Sequence, residues 1–134
     1  MSKIVCILIA LLSLTTGAAS VAVAGPKLRT IPPETVAEMR RKGEPVTLVQ
    51  INGGSRTPVI HGSARVQLND IDEWAAKTDK NTMIVCYCTC PANETGNRAA
   101  KRLMELGFRN VYVFEGGLKA WNDMVKERQQ RAPM

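Results

Sequence analysis

Cys86, Cys88 and Cys90 stand at every second position around the end of the segment MIVCYC, residues 83–88, the most apolar run after the N-terminal stretch. Thiols so close together offer three kinds of chemistry: nucleophilic attack, dithiol–disulfide exchange and soft-metal ligation. They fall within five residues, so they cannot staple distant segments, and the cluster serves chemistry or a strand interior rather than scaffolding. The chain continues Cys88-Thr89-Cys90-Pro91-Ala92-Asn93-Glu94-Thr95-Gly96 before a helical pattern begins. A cysteine at a strand end, followed by a short loop and a helix start, has two physical aids. Loop N–H groups can turn inward, and the helix N-terminus adds partial positive charge. Both stabilise a thiolate or an anion bound beside it, which lowers the thiol pKa and raises its nucleophilicity at neutral pH. Cys86, deeper in the strand, reads as a small buried hydrophobe. A metal is not expected. Cys-x-Cys-x-Cys suits Cu(I), but tetrahedral zinc wants a fourth ligand and usually longer spacers, and a buried strand cannot deliver all three thiols to one ion.

These residues need a scaffold, and the hydrophobic pattern supplies one. Pro32-Pro33-Glu34 opens a helix by the preference for proline at a first helical position, with Val36 and Met39 inward and Gly43 as its stop. Residues 46–51 (VTLVQI) make a short apolar strand, residues 52–58 a loop, and residues 64–66 a further short strand. Asn69 or Asp70 can cap a helix that turns Ile71 and Trp74 inward. Residues 83–88 form a central strand. A helix from Thr95 or Gly96 to Leu106 places Ala99, Ala100, Leu103 and Leu106 on one side and stops at Gly107. Residues 111–114 (VYVF) make another strand, and a last helix from Gly117 to about Arg128 carries Leu118 and Trp121. Short strands alternating with helices predict an α/β fold whose parallel sheet is covered on both faces. Ligands of such sheets bind beyond the carboxyl ends of the strands, where Cys88 and Cys90 fall.

A length of 134 residues suits one domain, and 45% hydrophobic with 22% charged residues excludes a disordered or collagen-like polymer. The net charge of +6 is scattered, its densest run being Arg40-Arg41-Lys42, and the aromatics are two each of Phe, Trp and Tyr. That is an ordinary basic surface, not the aromatic-laced basic stripe of a nucleic-acid binder. Residues 1–24 stand apart. Lys3 precedes an apolar run from Ile4 to Leu14, and small residues lead to Ala22-Val23-Ala24 before Gly25, the pattern of a secretory signal with an Ala-x-Ala cleavage site. The alternative is an uncleaved anchor, because residues 4–24 carry no charge and are long enough to span a bilayer. Cys6 sits inside the apolar run, too early for a lipoprotein cysteine. Residues 25–134 then form a single exported domain, periplasmic or secreted, associated with membrane only if the leader is retained.

The motifs resemble a known family, the rhodanese-like domains, over residues 31–124. Tyr87-Cys88 followed by Ala99-Ala100 and Leu103 is similar to the family's Tyr-Cys strand, active loop and following helix. Gly107-Phe108-Arg109-Asn110-Val111-Tyr112 and Glu115-Gly116-Gly117-Leu118-Lys119-Ala120-Trp121 resemble its closing Gly-Phe-x-Asn-Val and Gly-Gly-x-x-x-Trp signatures. Ile60-His61-Gly62-Ser63 resembles a segment usually read His-Ile-Pro-Gly-Ala. Gln50-Ile51-Asn52 occupies the place of Asp-Val-Arg, so the acid and the arginine of an expected ion pair are replaced. The same fold hosts phosphatases and arsenate reductases with Cys-x5-Arg loops. Six residues after Cys90 stands Gly96, and six after Cys88 stands Glu94, so that chemistry does not fit.

The resemblance implies a rhodanese-like, five-stranded parallel sheet with helices on both faces, and a cysteine that carries a persulfide. A thiosulfate-like donor loads the sulfur and a thiophilic acceptor such as cyanide or a thiol removes it, with no metal or organic cofactor. The expected partner is a small sulfur-containing anion or a protein thiol, and a monomer is the expected state of the chain. Counted from the strand, Cys88 takes the family's cysteine position. Counted back from the helix, Cys90 fits better, because residues 90–95 form a six-residue loop and Ala100 falls ten residues on. Cys90 is therefore the expected nucleophile, and Cys88 a neighbouring thiol able to attack a Cys90 persulfide or to form a local disulfide. The N–H groups of Ala92, Asn93, Glu94, Thr95 and Gly96 form the expected anion cradle, Pro91 having no donor, with Arg98 the nearest cation. Asn93 and Thr95 otherwise read as helix caps, Glu94 as a first-turn helix acid, and His61 as a surface or turn residue. Two other functions remain open: an exported dithiol redox protein using Cys88 and Cys90, and a catalytically inactive binding module.

Overall fold

Strands and helices alternate along the chain, as the pattern of short apolar runs predicts. The computed structural model describes residues 25–54 and 56–132; the leader expected over residues 1–24 lies outside them. The elements are β1 (Thr30–Ile31), α1 (Pro33–Arg41), β2 (Thr47–Ile51), β3 (Ala64–Val66), α2 (Ile71–Ala76), β4 (Ile84–Tyr87), α3 (Glu94–Glu105), β5 (Val111–Phe114) and α4 (Gly117–Arg131). Short 3-10 turns at Leu68–Asp70 and Pro91–Asn93 lead into α2 and α3. The strands form one parallel sheet in the order β1-β5-β4-β2-β3. Four of them stand where the pattern puts them. The fifth, β1, is a two-residue strand beside β5, in register Thr30 with Val113 and Ile31 with Phe114.

Several boundaries differ from the expected ones. The central strand ends at Tyr87, so Cys88 lies just past it. Helix α3 starts at Glu94, which places Glu94 and Thr95 in its first turn rather than in the loop, and α4 continues to Arg131. Asp70 and Asn93 occupy N-cap positions, but neither side chain makes a capping hydrogen bond. Proline at the start of α1 behaves as expected, its fixed φ suiting a first helical turn that has no other side-chain cap.

Two apolar layers sandwich the sheet. On one face Val49, Ile84, Cys86, Val111 and Val113 pack against Ile71 and Ala75 of α2 and Ala99, Ala100 and Leu103 of α3. On the other, Leu48, Val85, Tyr87 and Phe114 meet Val36 of α1 and the half-buried Leu118 and Trp121 of α4. Coverage on both faces explains why all four residues of β4 are buried. At the surface, Arg102 of α3 grips Asp72 of α2 with two bonds, Nε to Oδ1 at 2.7 Å and Nη2 to Oδ2 at 2.6 Å. The hydrogen bond from Arg102 holds the Asp72 carboxyl below its ordinary range.

Tyr87 ties this frame to the loop on its far side. Its hydroxyl accepts the Ile60 N–H at 3.1 Å and donates to Ser63 Oγ at 2.7 Å, while its ring tilts against Phe114 at 5.8 Å. In Tyr87→Phe the buried Ile60 N–H loses its partner. The expected cost is about 1–3 kcal/mol, read as a lower denaturant midpoint at constant slope; an unchanged midpoint would show that the hydroxyl contributes nothing net.

Candidate active site

The carboxyl end of β4 opens directly into the cysteine loop. Cys88 is 4% exposed, whereas Cys90 is only half-buried. Their Sγ atoms are joined as a disulfide across a Cα–Cα distance of 5.4 Å. Cys86 remains a free, fully buried thiol between Val49 and Val113 in the sheet, and burial pushes its pKa up to about 12. It is the inert strand cysteine the sequence predicts. Iodoacetamide applied to the folded, reduced protein at pH 8 is expected to leave Cys86 unmodified by peptide mass mapping, since its thiol stays protonated and covered. Labelling of Cys86 without unfolding would contradict that placement.

The loop is held by a side chain that sequence reasoning takes for a cap. Asn93 is 7% exposed, and its Oδ1 accepts the Cys88 N–H at 2.8 Å. Its Nδ2 donates to Asn97 Oδ1 at 3.2 Å, and its own N–H donates to the Cys90 carbonyl at 3.2 Å. Ala92 and Asn93 both adopt left-handed conformations with φ of 55°, a cost of roughly 1–3 kcal/mol each that the surrounding bonds must offset. The outcome is a tight turn that returns the first N–H groups of α3 toward the cysteine. The Thr95 N–H points at Cys90 Sγ, 3.5 Å away. Of the expected cradle donors, Thr95 is the one bonded to that sulfur, while the Asn93 N–H is spent on the Cys90 carbonyl.

Cys88, Thr89 and Cys90 face a cleft of about 890 Å³. Ala92 and Asn93 line it too, while Glu94 and Arg98 are exposed residues of α3 outside the lining. Cations come instead from a helix that sequence reasoning did not connect with the loop. Lys119, Asn122, Asp123 and Lys126 of α4 form the facing wall. Their spacing of three, four and seven residues from Lys119 puts them on one helical face, a polar stripe that could have been read from the sequence once α4 was placed beside β4. Lys119 binds Asp123 at 2.5 Å, and that hydrogen bond holds the Asp123 carboxyl below its ordinary range. Lys126 has no ion pair among the described residues, leaving this wall with a net positive charge. Arg56 lies outside this lining, in a separate recess that shares Pro58 and Thr89 with the cleft.

Close approach of α4 depends on Gly116 and Gly117, whose φ values of 75° and 66° are left-handed. A Cβ on Gly117 would lie 3.5 Å from the Asn93 Cβ, so the start of α4 and the cysteine loop are in contact. Trp121 then packs on Phe114 at 5.4 Å, fixing the rotation of α4 that turns Lys119 and Lys126 to the cleft. His61 is an exposed turn residue, its carbonyl accepting from Arg40.

Gln50, which replaces the expected acid, is fully buried and donates from Nε2 to the Pro58 carbonyl at 3.0 Å. Asn52 accepts the Leu68 N–H at 2.7 Å. The missing ion pair is thus replaced by neutral bonds, Gln50 holding the loop that carries Pro58 and Asn52 the turn that leads into α2.

The family model of the rhodanese-like domain matches residues 55–124. Thiosulfate sulfurtransferase GlpE of Pseudomonas fluorescens is 28% identical over 97 residues, spanning 71% of this chain and 85% of that protein. GlpE of Stutzerimonas stutzeri is 25% identical over 107 residues, spanning 76% and 96%. Among solved structures, the rhodanese-like domain of the Anabaena sp. Alr3790 protein superposes with a TM-score of 0.62 at 22% identity, over 73% of this chain and 76% of that one. The BH2092 protein of Bacillus halodurans gives 0.63 at 23% identity, over 72% and 73%. With the parallel sheet, the loop after β4 and the glycine-led helix α4 in place, the chain belongs to the rhodanese-like domain family.

Proposed function

We propose that this protein is a sulfurtransferase that takes the sulfane sulfur of thiosulfate or a similar small anion onto Cys90 and passes it to a thiophilic acceptor. The observation that carries the reading is the Thr95 N–H aimed at Cys90 Sγ at the N-terminus of the 12-residue helix α3. An N–H donor and a helix N-terminus together favour a thiolate there, and the same groups favour the anionic persulfide that replaces it. Cys90 is the more accessible of the two bonded cysteines, which supports it over Cys88 as the nucleophile. The relatives' activity as thiosulfate sulfurtransferases supports the substrate class.

With the disulfide reduced, the Cys90 thiolate attacks the outer sulfur of thiosulfate. The donor's S–S bond breaks, sulfite leaves with the electron pair, and Cys90 holds a persulfide anion. An acceptor such as cyanide or a thiolate then attacks the outer sulfur and returns Cys90 as the thiolate. Every bond change is at sulfur, so this chemistry needs neither a metal nor an organic cofactor. The leader read in residues 1–24 would place the reaction outside the cytoplasm. Formation of thiocyanate from thiosulfate and cyanide by the pre-reduced protein tests the reading. Thiocyanate formation that disappears once the Cys88–Cys90 bond is re-formed is expected; no thiocyanate from the reduced protein would overturn it.

The cleft's positive wall sharpens the substrate side. Lys126→Glu is expected to raise KM for thiosulfate about 2- to 5-fold while leaving kcat nearly constant, and the difference should shrink at high salt. An unaltered KM at low ionic strength would show that α4 does not attract the donor.

One observation favours a second reading, a dithiol redox protein: the Cys88–Cys90 bond itself. Thiosulfate added to reduced Cys88→Ser separates the two, since a sulfur carrier still releases sulfite and gains one sulfur on Cys90, whereas a dithiol redox protein gains none.

A further inference from the structure

We propose that Cys88 discharges the loaded Cys90 from within, expelling the carried sulfur as sulfide and closing the Cys88–Cys90 disulfide, so that the protein reduces a sulfane-sulfur anion at the expense of a dithiol. This rests on the reading of Cys90 as the sulfur carrier, and adds to it an outlet and a class of reductant.

The geometry specifies which sulfur is attacked. Cys88 and Cys90 are separated by one residue with Cα atoms 5.4 Å apart and Sγ atoms bonded to one another. Cys88 therefore reaches the sulfur that belongs to Cys90, the inner atom of a persulfide, rather than the outer atom that an acceptor in the cleft would meet. Cys88 is also confined. It is 4% exposed, and its N–H is fixed on the buried Asn93. A thiol so enclosed has little access to a bulky acceptor, and its available partner is the neighbouring cysteine. The cleft of about 890 Å³ in front of Cys90 leaves room for the outer sulfur and a path for its departure.

The step balances. The Cys88 thiol gives up its proton, and its sulfur bonds to Cys90 Sγ. The Cys90–outer sulfur bond breaks and its electron pair leaves with the outer sulfur, which takes the proton and departs as hydrosulfide. The sulfane sulfur has gained two electrons and the two cysteines have lost them. A dithiol reductant closes the cycle. One of its thiolates attacks Cys90, the more accessible sulfur of the pair, and its second thiol resolves the mixed disulfide. Over a full cycle, thiosulfate and a dithiol become sulfite, hydrogen sulfide and a disulfide. A partner with two closely spaced thiols is the reductant this chemistry selects.

A single turnover of the full chain decides it. The protein is reduced, freed of reductant under anaerobic conditions and mixed with equimolar thiosulfate, and sulfite and sulfide are then both quantified. Omitting reductant matters, because an external thiol would itself release sulfide from a persulfide. For the native chain, sulfite and sulfide are expected in equal amounts, with the protein ending as the disulfide. For Cys88→Ser and, as a second variant, Cys88→Ala, sulfite is expected without sulfide, the sulfur remaining on the protein until cyanide removes it. Sulfite without sulfide from the native chain would overturn the inference and leave the sulfur-carrier reading standing. Sulfide at the native rate from both Cys88 variants would overturn it as well. No sulfite from the native chain would remove the carrier reading and the inference together.

Discussion

Cys90→Ser should lose thiosulfate-to-cyanide sulfur transfer by at least about 10³-fold, because the reacting nucleophile is gone and the remaining groups only bind and orient. A serine hydroxyl at neutral pH is neither ionised nor soft, so the Thr95 N–H and the α3 N-terminus have no thiolate to stabilise. The substitution is small, and Cys90 lies outside both apolar clusters, so the fold should persist. Thiocyanate formation by the pre-reduced variant, beside a thermal unfolding curve, checks both halves. Retention of activity with an intact fold would move the nucleophile to Cys88. That result would also remove the reason for the Thr95 contact.

Gly96→Ala should be the most damaging change that touches no sulfur. In an ordinary helix interior, alanine for glycine stabilises by about 1 kcal/mol. Here the new Cβ would sit 2.6 Å from Asn93 Oδ1 and 2.8 Å from Nδ2. Asn93 cannot simply swing away, since it is 7% exposed and bonded to both the Cys88 N–H and Asn97. Relieving the clash breaks the bond that fixes Cys88 and displaces the turn that aims the Thr95 N–H. The overlap should therefore outweigh the helix gain, with a net loss of about 1–3 kcal/mol in unfolding free energy. A displaced loop should also slow sulfur transfer by roughly 10²-fold. Paired measurement of Tm and the transfer rate distinguishes the effects; a raised Tm with an unchanged rate would show that Asn93 has room to move and does not organise the loop.

Much of this architecture was legible because its signals are local. Apolar runs at residues 46–51, 83–88 and 111–114 announce buried parallel strands, and the Ala99, Ala100 and Leu103 spacing identifies the inner face of α3. The burial of Cys86 follows from the same run. The unread features depend on partners distant in sequence. Two residues of β1 carry no periodicity, and they become a strand only because β5 lies beside them. Asn93 has the residue type of a cap, yet its left-handed backbone turns the side chain toward the Cys88 N–H. Gln50 looked like a lost charge, whereas its burial beside Pro58 makes it an amide anchor for the opposite loop. Lys119 and Lys126 reach the cleft through the packing of Trp121 on Phe114 and the two glycines before Leu118. Local sequence shows the charge; the fold decides where it points.

The most direct test of Cys90 as the sulfur carrier is peptide-resolved mass of the reduced Cys88→Ser protein after thiosulfate, with the added sulfur blocked by an alkylating agent before digestion. A gain of about 32 Da on the peptide carrying Cys90, absent after cyanide, is the result expected from a persulfide at that residue. An unmodified Cys90 peptide in a folded, fully reduced protein would contradict it.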